Sequence, residues 1–402
     1  MQLREWNARL HGLVVFRALL GDPVVAKLAA LTDRLEAADD TIAPLCDAVA
    51  AFEAALFAHT TNLGDYLSNA VLETETVCVR QAAAGQLSPV MEAALNSELN
   101  FLQKLCGLTL DTLLEAADRQ SRELAFLPRW EARQLDLTAA YNQRMREAGK
   151  KGYGMFAKHH VFTVENGQLV PVKYPDPQKL SELPGYEKER EKVIANTRAL
   201  LAGSPANNVL LYGDAGTGKS STVKAIANEY AADGLRLVEV KKNQLYQIPD
   251  LMDALASNPL KFILFIDDLS FTANDDNFAA LKAILEGSVG GRAGNIAVYA
   301  TSNRRHLIKE TLTDREGDDI HESDTRQELM SLSARFGLTI TFGSPDRERY
   351  LHIVEELAKQ YGVELDPRQL AVRSEAFAVR SGGRSARVAK QFIELCKAGV
   401  FS

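Results

Sequence analysis

Apolar residues recur at three- and four-residue spacing through about the first 150 residues, which is the period of an amphipathic α-helix. The run between Leu102 and Leu114 is typical, with apolar residues at 102, 105, 106, 108, 110, 113 and 114. Four prolines stand where helices are expected to break: Pro23, Pro44, Pro89 and Pro128. The pattern predicts an all-helical N-terminal domain over residues 1–150, in which these stripes form the core of a helical bundle.

A different pattern begins near residue 186, where short β-branched runs alternate with amphipathic helical segments. This alternation is typical of a three-layer α/β domain, in which helices cover a parallel sheet. We therefore predict an α/β core with a five-stranded parallel sheet over 186–344, and a small helical subdomain over 345–402. The predicted strands are Val209–Tyr212, Leu235–Val240, Phe262–Ile266, Ile296–Thr301 and Leu338–Phe342.

The segment 151–185 differs from both neighbours and is predicted to be a hairpin and a linker. Two short apolar runs, Phe162–Val164 and Leu169–Val172, flank the dipeptide Asn166-Gly167, which is a strong signal for a tight hairpin turn. Prolines then punctuate the chain at positions 175, 177 and 184. The segment therefore leads from the helical domain into the α/β core.

Composition narrows the class of protein without identifying a function. The chain of 402 residues is 46% hydrophobic and 25% charged, which excludes a largely disordered chain or a small disulfide scaffold. The formal net charge of −7 makes it a poor general binder of polyanions. Four widely spaced cysteines are expected to be buried thiols in a reducing compartment. With no long apolar run and no basic-then-apolar N-terminus, we expect a cytoplasmic protein without membrane contact.

The segment from Gly213 to Ser220 fits the pattern G-x-x-x-x-G-K-[ST] at every fixed position. The predicted strand Val209–Tyr212 runs into it, and a helical pattern follows over 221–230. Glycines let the backbone wrap around a phosphate, so that successive N–H groups point at the anion. Lys219 would neutralise the β- and γ-phosphates, and the Ser220 hydroxyl would take a Mg²⁺ position. The residues expected to bind the nucleotide are Gly213, Asp214, Ala215, Gly216, Thr217, Gly218, Lys219, Ser220 and Ser221.

A pair of carboxylates, Asp267 and Asp268, follows the continuous apolar run Phe262–Ile266. Such a run is expected of a central strand that is buried on both faces. Beside a phosphate loop, Asp267 would hold Mg²⁺ and Asp268 would orient or polarise the attacking water. The alternative is a solvated turn in which an aspartate caps the following segment.

Together these residues resemble the AAA+ ATPases, and the resemblance covers roughly 173–402. It implies that Leu180–Glu187 lies against the adenine base of ATP. Ala300–Asn303 resembles sensor 1, which makes Asn303 the polar contact to the γ-phosphate or the attacking water. Ser333–Gly337 lies where the family keeps its arginine finger, so Arg335 would reach the ATP of a neighbouring subunit. A trans-acting arginine in turn implies a ring or a helical array of identical subunits.

The segment Gly382–Arg387 resembles sensor 2 in the helical lid of these proteins. Arg384 is the first choice for a contact to the phosphates of the subunit's own ATP, and Arg387 is the second. Each of these arginines also has a simpler interpretation. Arg335 would form a salt bridge on the surface, and Arg384 and Arg387 would be charges on the exposed face of a helix. The alternative candidates for the trans-acting role are Arg304 and Arg305.

More narrowly, the run from the phosphate loop through Asp267–Phe271 and Ser302–Leu307 is similar to a bacterial AAA+ family catalogued only as a domain of unknown function. Most of the superfamily has glutamate where Asp268 stands, and the Asp-Asp pair resembles that of replication initiators and helicase loaders. The segment Lys241–Gln247 lacks the aromatic–apolar–glycine pore loop of protein unfoldases. We therefore favour packing or a surface position for Tyr246, with a role in a pore as the alternative.

Three functions remain open from the sequence. The first is an oligomeric, Mg²⁺-dependent ATPase that remodels an unknown protein partner bound by the N-terminal helical domain. The second is a nucleic-acid-associated ATPase of the loader or initiator kind, and the third is an ATP-dependent switch or scaffold with little hydrolysis. An acidic run over 314–324, interpreted as a solvated insertion, would repel phosphates in a central channel and disfavours the second. We rank the three in the order given.

Overall fold

The computed structural model describes residues 2–37, 41–83, 87–119, 124–269, 277–286, 294–303 and 335–401. The chain divides into two compact units, Met1–Lys158 and His159–Ser402. The division falls after residue 158, because the segment 151–158 packs on the first unit. Tyr153 is buried there, and the N–H of Gly154 donates to the carbonyl oxygen of Glu73 at 2.9 Å.

Helices are the main regular elements in the described part of the first unit, as the apolar spacing predicts, and one isolated β-bridge joins Asn62 to Glu131. Proline occupies the first position of two helices that begin at Pro23 and Pro89, where its missing N–H costs nothing. The Asp22 side chain caps the first of these by accepting from the backbone N–H groups of Val24 and Val25. Within the described residues its α-helices are α1 (Gln2–His11), α2 (Pro23–Glu36), α3 (Ile42–Phe57), α4 (Leu63–Glu73), α5 (Val77–Ala83), α6 (Pro89–Cys106), α7 (Leu110–Ala116), α8 (Leu137–Arg146), α9 (Ala148–Lys151) and α10 (Met155–Lys158).

The predicted apolar stripe of the first unit is confirmed, since every apolar residue named between Leu102 and Leu114 is buried. These side chains join one hydrophobic cluster with residues from the other helices. Trp130 packs edge-on against Phe52, with ring centroids 4.8 Å apart, and its indole N–H donates to the Leu108 carbonyl oxygen at 2.8 Å. All four cysteines are free thiols, of which Cys78 and Cys106 are buried and the other two half-buried.

The second unit is built on a sheet in which the strands run in the order β2-β1-β4-β5-β6-β3-β7. Every pairing is parallel except that of β1 with β2. The five strands predicted for the core are all present, within one residue of their predicted ends. The strands are β1 (Val161–Glu165), β2 (Gln168–Pro171), β3 (Val209–Gly213), β4 (Leu235–Glu239), β5 (Lys261–Ile266), β6 (Ile296–Ser302) and β7 (Leu338–Phe342).

The predicted count of five strands is wrong, because the sheet has seven within the described residues. The two additional strands are the predicted hairpin, which joins the sheet instead of remaining in a linker. Its turn is confirmed: Asn166 and Gly167 have φ values of 51° and 79°, the left-handed pair of a type I′ turn. Val161 of β1 pairs with Leu237 of β4, so the hairpin covers backbone groups that would otherwise lie on an open edge.

Helices flank this sheet and form a separate group after β7, as the periodicity predicts. Each helix of the final group begins at a polar cap, formed by the side chains of Asp346, Asp366 and Ser385. Within the described residues the helices are α11 (Glu187–Leu201), α12 (Lys219–Glu229), α13 (Ile248–Ala256), α14 (Asn277–Glu286), α15 (Arg347–Tyr361), α16 (Pro367–Arg380) and α17 (Ala386–Lys397). The acidic run over 314–324 lies outside the described residues.

The carboxyl ends of three adjacent strands, β5, β6 and β3, meet at one edge of the sheet. The central strand β5 is buried at every position from Phe262 to Ile266, as the continuous apolar run predicts. In parallel α/β sheets this edge is where ligands bind, because the loops that leave the strands converge there. Across the described part of the chain, no helix combines the length and the apolar character that spanning a bilayer requires.

The first unit also buries one acidic side chain, Glu53 of α3, which is only 2% exposed. Neither of its carboxyl oxygens has a hydrogen-bond partner among the described residues. Burial raises the pKa of this carboxyl from 4.5 to about 7, and the positive charge of Arg129 opposes the rise. Glu53 is therefore protonated in the folded chain at mildly acidic pH, although it would be ionised in the unfolded chain.

Replacing this carboxyl should change how the stability of the chain depends on pH. Because the folded-state pKa is raised, Glu53 contributes stability at low pH that is lost as the pH rises through about 7. Thermal melting of wild type and Glu53→Gln should give similar transitions at pH 5. At pH 8 the variant should melt about 2–4 °C higher, since it carries no charge in the core. A difference between the two proteins that is the same at both pH values would contradict this.

Candidate nucleotide-binding site

The loop between β3 and α12 has a backbone that only glycine can adopt at its first position. Gly213 has a φ of 136°, and a Cβ built there would lie 2.0 Å from the carbonyl oxygen of Phe342 on β7. The next residue, Asp214, donates its N–H to the same oxygen at 3.1 Å. Its carboxylate accepts from both the N–H and the hydroxyl of Ser344, at 2.7 and 2.8 Å. The loop is therefore fastened to the end of β7.

Lys219, the first residue of α12, is 5% exposed and folds back under the loop. Its ammonium group donates to the carbonyl oxygens of Gly213 and Asp214, at 2.8 and 2.7 Å. Burial lowers the pKa of Lys219, and the nearby carboxylates, that of Asp214 first among them, counteract this shift. A cation thus sits at the N-terminal end of α12, where the loop N–H groups can also reach an anion.

The two predicted Mg²⁺ ligands, Ser220 and Asp267, are in direct contact. The Ser220 hydroxyl donates to Oδ1 of Asp267 at 2.6 Å. The hydroxyl of Thr301, from the end of β6, donates to the same oxygen at 2.5 Å. Hydroxyl and carboxylate oxygens are the donors that Mg²⁺ prefers, usually together with phosphate oxygens and water. The residues present therefore fit a magnesium ion bound with a nucleotide.

The predicted catalytic pair, Asp268 and Asn303, is also in contact. The side-chain amide of Asn303 donates to Oδ1 of Asp268 at 2.8 Å. Asp268 has a φ of 51°, a left-handed conformation that few residues other than glycine adopt. Its N–H donates to the Thr301 hydroxyl at 2.9 Å and to Oδ1 of Asp267 at 3.1 Å. Both the carboxylate and the backbone N–H of Asp268 are therefore hydrogen-bonded, which fixes the turn after β5.

These groups face a cavity of about 830 Å³ within the second unit. The segment after the hairpin contributes the apolar residues Leu183 and Pro184 to its wall, and α15 contributes the apolar residues Ile353 and Leu357. The segment Leu180–Glu187, which is predicted to lie against adenine, therefore reaches the cavity through Leu183 and Pro184. The predicted site residues in the wall are Ala215, Gly216, Thr217, Gly218, Lys219, Ser220, Ser221, Asp267, Asp268, Asn303 and Arg387.

The two predicted sensor 2 arginines lie in different places relative to the cavity. Arg384 forms a two-pronged ion pair with Glu375 of α16, at 2.9 Å from Nε and 2.7 Å from Nη2, and does not line the cavity. Arg387 lies in the first turn of α17 and does line it, and its N–H donates to the carbonyl oxygen of Gly216 at 3.0 Å. Helix α17 begins at Ala386, so only the later arginine is carried on the helix end that meets the loop.

The remaining predicted residues fall in three places. Gly213 and Asp214 support the loop and do not line the cavity, and neither does the half-buried Arg335 just before β7. Arg304 and Arg305 lie outside the described residues. Tyr246 is 67% exposed, in accord with a surface position.

Sequence reasoning assigned no role to several polar residues that the structure places at the cavity. Arg190 of α11 is 8% exposed and donates to the carbonyl oxygen of Leu183. Lys390 and Lys397 of α17 also line the cavity. Thr301 lies in the segment Ala300–Asn303 that resembles sensor 1. A hydroxyl at the end of a fully buried strand is a sequence signal that could have identified Thr301 as a site residue.

Two known proteins are similar to parts of this chain. A replication factor C large subunit from Staphylothermus marinus is 31% identical over 141 residues, which are 35% of this chain and 29% of that protein. The chain thus spans less than a third of that relative's length. Among solved structures, RuvB from Thermotoga maritima has 20% identity and a TM-score of 0.36, over 54% of this chain and 63% of that one.

The narrower resemblance, to an AAA+ family catalogued only as a domain of unknown function, is confirmed by a match to a family model. The model described as Protein of unknown function (DUF815) matches residues 156–400, which include both the sheet and the final helices. Because the match covers more than half of the chain, the protein belongs to the DUF815 family.

Proposed function

We propose that this chain is a Mg²⁺-dependent AAA+ protein that binds ATP and hydrolyses it to ADP and phosphate. The observation that carries the proposal is the meeting of three elements at one cavity. The phosphate loop after β3, the carboxylates after β5 and Asn303 after β6 all reach it. A chance glycine turn would not be expected to place a buried lysine, a serine–aspartate contact and a second acid around the same space.

In the proposed reaction, Lys219 and the loop N–H groups bind the β- and γ-phosphates. Ser220 and Asp267 hold Mg²⁺, which neutralises charge on the phosphate oxygens. Asp268 positions the attacking water, and Asn303, whose amide already contacts that carboxylate at 2.8 Å, orients the acid or contacts the γ-phosphate. Arg387, as the lid arginine at the cavity, is the proposed cationic contact from α17.

The apolar part of the cavity wall is the proposed site of the adenine base. Leu183 and Pro184, and Ile353 and Leu357 of α15, supply that part of the wall. A planar base against such a wall gains from removing apolar surface from water. In this proposal the nucleotide lies between the sheet and the final helices, with its phosphates at α12.

Two substitutions test binding and hydrolysis separately. Lys219→Ala should weaken ATP binding at least tenfold, because a hydrogen bond to a charged group is worth about 1.5–3 kcal/mol. Asp268→Asn should bind ATP as wild type does but turn over at least about a hundredfold more slowly. Calorimetric titration with ATP and a phosphate-release assay measure the two effects.

The matched control for these variants is Lys224→Ala, which lies on the same helix but outside the cavity wall. Its ATP affinity should equal that of wild type. The phosphate-loop assignment fails if Lys219→Ala binds ATP as tightly as this control. Unchanged turnover in Asp268→Asn would move the catalytic acid elsewhere.

We further propose that the protein acts as an oligomer in which Arg335 contacts the ATP of a neighbouring subunit. Arg335 does not line the cavity of its own subunit, which is the arrangement that a trans-acting residue requires. Mixing Arg335→Ala with wild-type subunits should lower activity more steeply than the fraction of variant, because each variant subunit disables a neighbour. A strictly proportional loss on mixing would contradict a role in trans.

For the macromolecule on which ATP turnover acts, we propose a protein partner bound by the first unit. The alternative, a nucleic-acid-associated ATPase, is favoured by the Asp267-Asp268 pair and by the partial similarity to a replication factor C subunit. The net charge of −7 disfavours it. A third possibility is a switch that binds ATP and hardly hydrolyses it.

Measurements of turnover distinguish these possibilities. Addition of single-stranded or duplex DNA should leave the ATPase rate within about twofold of its value alone, since an acidic chain lacks a general attraction to polyanions. The ATP-bound Asp268→Asn variant should retain a protein partner that Lys219→Ala does not. A large, salt-sensitive stimulation by DNA would favour the alternative, and tight ATP binding without turnover would favour the switch.

A further inference from the structure

We propose that Thr301, at the end of β6, is the positioning residue that sets both carboxylates of the site. The inference rests on the proposed ATPase function and deepens it. Thr301 is 2% exposed and lines the cavity, yet the roles assigned above need no chemistry from its hydroxyl. Thr301 instead forms hydrogen bonds to the turn that follows the neighbouring strand β5.

Three hydrogen bonds join this one threonine to three consecutive residues of that turn. Its hydroxyl donates to Oδ1 of Asp267 at 2.5 Å and accepts from the N–H of Asp268 at 2.9 Å. Its carbonyl oxygen accepts from the N–H of Leu269 at 2.7 Å. Register explains the meeting, because Ala300 pairs with Ile266 and the residues that follow each of them come together beyond the last pair.

The donor and the acceptor capacity of the hydroxyl have different effects. As a donor it fixes Oδ1 of Asp267, the oxygen that also accepts from Ser220 at 2.6 Å, and so orients the proposed Mg²⁺ ligand. As an acceptor it holds the N–H of Asp268, a residue whose φ of 51° is unfavourable for a side chain with a Cβ. One hydroxyl thus links the position of the metal ligand to that of the catalytic acid.

Side-chain chemistry at position 301 can therefore be separated from its packing. Valine has nearly the shape of threonine but offers neither the donor nor the acceptor, whereas serine keeps both and loses only a methyl group. The carbonyl contact to Leu269 is backbone and is retained in both variants. The difference between Thr301→Val and Thr301→Ser then reports the hydroxyl.

In Thr301→Val we expect kcat for ATP to fall about tenfold to a hundredfold, as expected for loss of a hydrogen bond to a charged group. The KM for ATP should stay within about threefold, because Lys219 and the loop N–H groups still bind the phosphates. The Mg²⁺ concentration for half-maximal binding of a non-hydrolysable ATP analogue, which does not depend on turnover, should rise severalfold. Thr301→Ser should recover kcat to within about threefold of wild type.

The matched control is Thr197→Val, which removes another buried hydroxyl of the same unit. Thr197 is bonded at 2.8 Å to the hydroxyl of Tyr299, also on β6, and lies outside the cavity wall. Its kcat and Mg²⁺ dependence should match those of wild type. Thermal melting identifies folded variants, and Thr301→Ala replaces Thr301→Val in the comparison if the latter does not fold.

Two results would overturn the inference while the proposed function stands. In the first, wild type hydrolyses ATP and Thr301→Val has the same kcat and Mg²⁺ dependence. In the second, Thr301→Ser loses as much turnover as Thr301→Val, which would assign the effect to packing. A wild-type chain without Mg²⁺-dependent ATP turnover would instead refute the proposed function, and the role of Thr301 with it.

Discussion

One carboxylate oxygen, Oδ1 of Asp267, is the point on which the geometry of the site depends. It accepts hydrogen bonds from the Ser220 hydroxyl, the Thr301 hydroxyl and the N–H of Asp268. These donors belong to the helix after β3, the end of β6 and the turn after β5. Because charge-assisted hydrogen bonds are strong and directional, one acceptor can fix three chain segments relative to one another. The spacing between phosphate loop and acidic turn follows from that arrangement.

The loop itself is fixed from the opposite side by close backbone packing. A side chain at Gly213 would collide with Phe342, so the end of β3 can pack against β7 in this conformation because position 213 is glycine. The carboxylate of Asp214 then bonds Ser344, just beyond β7. Gly213 of the motif therefore allows close packing within the sheet as well as the loop conformation that a phosphate needs. The chain that leads from β7 into the final helices is hydrogen-bonded to the loop.

Local signals in the sequence were sufficient for most of the fold and for the centre of the site. The motif Gly213–Ser220 and the acidic pair after an apolar run each depend on residues adjacent in the chain, so they could be recognised there. The hairpin was recognised for the same reason, from its Asn166-Gly167 turn. Its attachment to β4 was not, because the pairing of Val161 with Leu237 joins segments far apart in the sequence. The predicted number of strands was therefore too low, because the two strands of the hairpin were not counted in the sheet.

Arg384 and Arg387, the two predicted sensor 2 arginines, show the same limit within a single helical turn. Both lie near the start of α17 and carry the same charge, so the motif alone could not decide which one reaches the loop. The decision comes from Ser385, whose side chain caps the helix and starts it at Ala386, and from Glu375, which binds Arg384. Arg387 is left on the first turn, where its N–H bonds Gly216 of the loop. The helix cap at Ser385 and the acid Glu375 thus determine which cation faces the cavity, and Glu375 lies on another helix, outside the motif that suggested the pair.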